Sequence, residues 1–236
     1  MHGPFLYGIM DIKLYYQEEG QGEPLILLHG NGEDGTYFVH QIAYFRSKYR
    51  VIAVDTRGHG KSPRGTAPFT IRQFADDLYG FMDEHGIEKA HILGFSDGGN
   101  IALCFALKYP ERVNSLILNG ANLYSRGVKF KVQFPVEVGY RIAKFFARQN
   151  PRALANAEML GLMVNDPALT EKDISTIAVP TLVIAGKNDM IKDSHTRLIA
   201  KSISNAELSI IEGDHFCAAG NSIDFNRDVD TFLMKN

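Results

Sequence analysis

Residues 90–107, reading AHILGFSDGGNIALCFAL, decide the fold. Apolar and small residues lead into Gly94-Phe95-Ser96-Asp97-Gly98, Gly99 follows, and an alanine- and leucine-rich segment begins at once. The expected unit is strand, tight turn, helix. A serine at the apex of such a turn is forced into a strained backbone conformation, and small residues two before and two after it let strand and helix crowd together. Its hydroxyl is thereby lifted clear of both elements. The free amides of the helix start lie beside it and would stabilise an oxyanion formed there. A bare GxSxG match also fits a glycine-rich turn with a capping serine; the apolar strand before it and the apolar-periodic helix after it supply the specificity.

The chain has 236 residues, enough for one domain with a large core and an insertion. Hydrophobic residues at 45% and charged ones at 22% are ordinary for a globular protein, and a formal charge of −2 points away from a nucleic-acid partner. No apolar run approaches the roughly 18 residues of a membrane span, so no membrane partner is expected. Cys104 and Cys217 are too few for a disulfide framework, and no basic-then-apolar leader opens Met1-His2-Gly3-Pro4. The expectation is a cytoplasmic chain, monomer or homodimer, acting on a small molecule.

Outward from the central stretch, strand and helix patterns alternate. Ile12 to Gln17 and Leu25 to Leu28 are β-rich runs joined by Glu19-Gly20-Gln21-Gly22, which reads as a hairpin. A helical segment from about Tyr37 to Lys48 and the strand Val51 to Val54 follow. Thr70 to His85 has helical periodicity with Thr70 as N-cap. After Ser115 to Leu118 the strand signal stops until about residue 177, and two helical pieces, Val136 to Ala147 and Arg152 to Val164, flank Asn150-Pro151. Strands then resume at Thr181 to Ala185 and Leu208 to Ile211, with helices around Ser194 to Ser202 and Ser222 to Met234. The pattern predicts an α/β fold with a mostly parallel sheet covered on both faces. Residues 1–121 and 178–236 form its core, and 122–177 form a short helical lid inserted in it.

A serine hydroxyl is a poor nucleophile at neutral pH and needs a base, which in turn needs an orienting carboxylate. In an open parallel sheet the site forms at the carboxyl ends of the strands, in the chain order serine, acid, histidine. Gly186-Lys187-Asn188-Asp189 follows one late strand and Glu212-Gly213-Asp214-His215 the next. Asp189 and His215 are therefore the expected acid and base for Ser96. His59 is the main competitor for the base, and Asp193 or Asp214 for the acid.

With these motifs in order, the chain resembles the α/β-hydrolase-fold serine hydrolases. GFSDG matches the nucleophile elbow, HGNG at 29–32 the oxyanion loop, DTRGHGKS at 55–62 the turn after the next strand, GKND the acid and GDH the base. The resemblance implies that Ser96 attacks a carbonyl, His215 shuttles its proton and Asp189 holds the imidazole, with the backbone amides of Asn31 and Asp97 as oxyanion hole. It further implies that His29 braces the oxyanion loop and that Asp55 to Ser62 is a structured turn. The implied reaction is hydrolysis of carboxylic esters of small or medium size through an acyl-enzyme, with no cofactor and no metal. Cleavage of a C–C bond or perhydrolysis on the same triad, or slow-turnover binding of a small ligand, are the alternatives.

Asp97 departs from the usual family residue after the nucleophile. A carboxylate there stabilises the first helical turn; alternatively it faces the pocket and attracts a cation. The SDGG sequence resembles the biphenyl hydrolase-like, valacyclovir-hydrolysing branch, which implies recognition of an α-amino group by Asp97. Specificity is expected in the lid, where Phe130, Phe134, Tyr140, Phe145 and Phe146 suit an apolar acyl or alcohol group.

Overall fold

The computed structural model describes residues 11–236; the opening Met1–Pro4, where no leader was read, lies outside them. Seven strands form one sheet: β1 (Tyr16–Glu19), β2 (Pro24–Leu28), β3 (Arg50–Val54), β4 (Ala90–Phe95), β5 (Val113–Asn119), β6 (Thr181–Gly186) and β7 (Ala206–Ile211). Their order across the sheet is β1-β3-β2-β4-β5-β6-β7, with β1 antiparallel to β3 and every other pairing parallel. The helices are α1 (Val39–Phe45), α2 (Ile71–Glu84), α3 (Asp97–Lys108), α4 (Phe130–Phe146), α5 (Pro151–Asn165), α6 (Glu171–Ile174), α7 (Asp193–Ser202), α8 (Cys217–Gly220) and α9 (Ser222–Leu233).

Alternation along the central strands divides the core between the two sheet faces. Ile26 and Leu28 of β2 join Leu116 and Leu118 of β5 under α2, α3 and α7. Leu25, Leu27 and Ile117 face the other way and pack with Phe45 of α1 and with Phe225 and Val229 of α9. Both faces of β2, β4 and β5 are thus dry, which explains why those segments read as unbroken apolar runs.

The Glu19–Gly22 turn does not make a hairpin. β1 pairs with β3, and β2 lies on the far side of β3. The turn instead passes over the α1–β3 connection so closely that a Cβ on Gly20 would meet the carbonyl oxygens of Arg46 and Tyr49 at 2.3 Å. Strand pairing here is decided by parallel burial of β2 between β3 and β4, which the local turn signal does not encode.

Thr70 caps α2 by accepting from the Gln73 amide at 3.2 Å. Asn150 accepts from the Arg152 amide at 2.9 Å, and Pro151 takes the first position of α5, where its missing N–H costs nothing. α4 differs from expectation. It starts at Phe130 and runs through Pro135, because Lys129 already accepts from the Val132 and Gln133 amides and because the exposed proline removes a single helical hydrogen bond. α4 and α5 pair as a helical hairpin between β5 and β6.

Candidate active site

Ser96 sits between β4 and α3 with φ 53° and ψ −117°, a left-handed φ that costs a non-glycine residue on the order of 1–3 kcal/mol. The strain persists because the turn is clamped on both sides. A Cβ on Gly94 would lie 2.2 Å from the Gly98 oxygen, and one on Gly98 would lie 1.9 Å from the Leu28 oxygen. Only glycine at both positions allows β2, β4 and α3 to meet this closely. Ser96 is left half-buried while its neighbours on either side are buried.

His215 lies on the loop after β7 and Asp189 on the loop after β6, and the sheet order brings both loops to the same edge as the elbow. Asp189 Oδ1 accepts from His215 Nδ1 at 2.7 Å, and His215 Nε2 lies 3.0 Å from Ser96 Oγ. A carboxylate can only accept, so the ring proton belongs on Nδ1 and Nε2 is the acceptor for the serine hydroxyl. The Ile191 amide also donates to Asp189 Oδ1 at 2.8 Å, which fixes the carboxylate. Gly120, at φ 63°, underlies the pair; a Cβ there would stand 2.8 Å from His215 Cε1 and 3.3 Å from Asp189 Oδ2.

The His29–Gly32 loop runs beside the hydroxyl, close enough that a Cβ on Gly30 would lie 3.2 Å from Ser96 Cβ. Burial holds the His29 pKa down at about 4, so its ring is neutral. Its Nδ1 donates to the Gly30 oxygen at 2.7 Å and its Nε2 accepts from the Thr56 amide at 3.0 Å. The Asp97 amide is in the first turn of α3 and has no helical acceptor. The Asn31 side chain donates to Asp97 Oδ2 at 3.0 Å and to the Met159 oxygen of α5 at 2.9 Å. Asn100 donates to the other Asp97 oxygen at 3.2 Å. Burial pushes the Asp97 carboxyl up to about 6 despite these two donors, and Asp166 nearby adds to the effect.

The rivals of the triad go elsewhere. His59 Nδ1 bonds the Arg57 oxygen at 3.0 Å, and its ring stacks on Phe69. Arg57 is fully buried between Asp77 and Asp11, at 2.6 and 2.7 Å. Asp55 accepts from the Gly35 and Lys61 amides, each at 2.8 Å. The Asp55–Ser62 segment is thus a braced turn. Asp193 pairs with Arg197, and Asp214 caps the Phe216 amide.

Of the aromatic residues expected to line a substrate pocket, all but Tyr140 are exposed to solvent. Phe130, Phe134 and Phe145 are 74%, 53% and 79% exposed, and Phe146 is exposed as well. The inward positions of α4 are taken by Gln133 and Ala143 instead. Tyr140 is half-buried near Gly161 of α5, with its hydroxyl accepting from Lys144. The hairpin residue that bonds the His29–Gly32 loop is Met159, which aromatic content could not reveal. Glu33 and Tyr37 also escaped the sequence reading. Glu33 Oε2 and the Tyr37 hydroxyl are buried without a partner among the described residues, and burial raises both pKa values. An acid directly after the HGNG loop was the only sign of them. Among the described residues no cluster of His, Cys, Asp and Glu could hold a metal ion, and no helix is long and apolar enough to cross a membrane.

Residues 23–158 match the family described as the alpha/beta hydrolase fold. The chain is 31% identical to 2-hydroxymuconate semialdehyde hydrolase of Pseudomonas putida, with 92% of this chain and 89% of that one covered. It is 28% identical to 3-oxoadipate enol-lactonase 2 of Acinetobacter baylyi, with 95% and 94% covered. Among solved structures it resembles a meta-cleavage product hydrolase from Pseudomonas fluorescens IP01, at 27% identity, a TM-score of 0.77 and 95% coverage of both chains. With residues 23–158, more than half of the chain, matched to it, the chain belongs to the alpha/beta hydrolase fold family.

Proposed function

We propose that this hydrolase cleaves carboxylic esters, lactones among them, through an acyl-enzyme on Ser96. The single observation carrying the reading is the unbroken relay from Ser96 Oγ to His215 Nε2 and from Nδ1 to Asp189. In the first step Ser96 Oγ bonds to the substrate carbonyl carbon while its proton passes to His215 Nε2, and Asp189 balances the resulting imidazolium. The carbonyl oxygen takes up the electron pair and accepts from the Asn31 and Asp97 amides, where the start of α3 adds its dipole. His215 then returns the proton to the leaving alkoxide as the C–O bond breaks. Water repeats the sequence on the acyl-enzyme, releasing the acid and restoring Ser96. In this reading the α4–α5 hairpin is the lid, and the Asp97 carboxylate favours substrates with an ammonium near the scissile carbonyl.

A second reading, hydrolysis of a C–C bond beside a ketone, has support in the names of the semialdehyde and meta-cleavage product hydrolases to which the chain is similar. The two separate cleanly in one assay. Purified protein is given p-nitrophenyl acetate and, in parallel, a 2-hydroxy-6-oxo dienoate, with Ser96→Ala as control. Serine-dependent turnover of the ester alone supports the first reading. Turnover of the dienoate with faster kcat/KM supports the second, and turnover of neither by a protein that a fluorophosphonate fails to label removes both.

A further inference from the structure

The solvent-exposed side of α4 carries an apolar ridge that no described residue buries. Phe130, Phe134, Val138, Ile142 and Phe146 recur every four residues, so they form one continuous row on the helix surface, and Phe145 stands beside it. All six are exposed, from 40% at Val138 to 79% at Phe145. With four phenylalanines at least half exposed, and about 150–250 Å² of surface on each aromatic side chain, the patch reaches the several hundred Å² that a water-facing surface rarely leaves unused.

The charge around the ridge is one-sided. Residues 129–157 contain six cations, Lys129, Lys131, Arg141, Lys144, Arg148 and Arg152, against the single anion Glu137. The rest of the chain has nineteen cations against twenty-six anions. Lys131, Arg141, Lys144 and Arg148 are all exposed; at about 100° per residue Lys131 and Arg141 fall within the ridge's own face and Lys144 at its border, while Arg148 follows the last helical turn. Phenylalanines interleaved with and bordered by lysine and arginine suit a helix lying flat in an anionic lipid interface, where long cationic side chains reach up to the phosphates while the rings sink below them.

We propose that α4 docks the protein on an anionic phospholipid bilayer, with the ridge sunk to the headgroup boundary and the cations on lipid phosphates. Charge selects this occupant. A second copy would set one strongly cationic segment against an identical one, whereas an anionic bilayer neutralises it and also accepts the phenylalanines. The contact is peripheral and asks for no spanning helix. Lipid docking is independent of the chemistry proposed at Ser96.

The full chain is to be co-sedimented with vesicles of phosphatidylglycerol and phosphatidylcholine, and with phosphatidylcholine alone, at low and high salt. The expected result is partitioning at least about ten-fold stronger on the anionic vesicles, lost at high salt. Phe134→Ser with Ile142→Ser and, separately, Arg141→Glu with Arg148→Glu should each abolish it, with folding checked by circular dichroism. The charge-reversed pair alters only exposed side chains and keeps the test open should the apolar pair misfold. Equal binding to both vesicles, binding to neither, binding that survives both variant pairs, or a salt-independent dimer that Phe134→Ser dissociates while vesicles are ignored would each overturn the proposal.

Discussion

The side-chain amide of Asn31 bridges the helical hairpin and the nucleophile turn, donating at 2.9 Å to the Met159 carbonyl and at 3.0 Å to Asp97. One residue of the His29–Gly32 loop thereby ties α5 to the turn that carries Ser96. Asn31→Ala retains the backbone amide and removes both tethers. Because hydrogen bonds of this kind contribute about 0.5–3 kcal/mol each, the hairpin should open roughly ten-fold more often. Hydrogen exchange of the α5 amides should speed up accordingly, with kcat/KM reduced and the elbow amides unaffected. Unchanged exchange in α5 would show that the hairpin is held by its apolar contacts alone.

Ser96, His215 and Asp189 should behave as one unit. Single substitutions Ser96→Ala and His215→Ala are each expected to lower kcat by about 10⁴-fold or more, and the double variant to lose little beyond either alone. Stability should move the other way at the elbow. Ser96→Gly relieves a φ of 53° at a position clamped on both sides, and a gain of about 1 kcal/mol would raise Tm by about 2–4 °C. A lower Tm for Ser96→Gly would mean that the serine turn is not strained.

Arg57 is expected to matter for folding and not for turnover. Its guanidinium is fully buried against Asp77, and removing it strands that carboxylate in the core. Arg57→Met should cost about 3–5 kcal/mol in denaturant unfolding, while Arg57→Met combined with Asp77→Leu should recover much of the loss. Were the single variant to keep its stability but lose kcat, the Asp55–Ser62 turn would have a chemical role that its hydrogen bonds do not suggest.

The sheet and the meeting of Ser96, His215 and Asp189 are legible in the sequence because each rests on local pattern plus chain order. GFSDG needs its glycines for backbone contacts that any strand–elbow–helix junction makes, and Asp189 and His215 follow strands whose apolar runs announce themselves. What the sequence hides is partner choice. The Glu19–Gly22 turn looks the same whether β1 pairs with β2 or with β3, and burial of β2 on both faces decides it. The α4 aromatics show helical spacing whichever way the helix turns, and their direction is set by α5 packing on Gln133 and Ala143. His91 and His195 are buried, bonding Ser115 and the Leu123 amide through contacts far away in sequence that no local pattern announces.

Asp97 gives the pH dependence its sign. Its carboxyl is raised from 3.8 to about 6 by burial, so between about pH 4 and 6 the folded chain binds a proton that the unfolded chain has lost. Stability attributable to this group is therefore greatest at the acid end of that window, falls as pH rises through it, and is level above about 6. A displacement of this size corresponds to on the order of 3 kcal/mol at most. Asp97→Asn cannot ionise, although it gives up one acceptor for Asn31 or Asn100. Relative to the parent, its unfolding free energy should thus improve by about 2 kcal/mol between pH 4 and 7, leaving the fall due to Asp166, which burial also raises to about 6. The same variant tests substrate charge. An amino-acid ester and its deaminated analogue should be turned over with different kcat/KM by the parent above pH 6, where Asp97 is ionised, and with similar kcat/KM by Asp97→Asn. A preference that survives the substitution, or that is already present below pH 5, would assign ammonium recognition to another carboxylate.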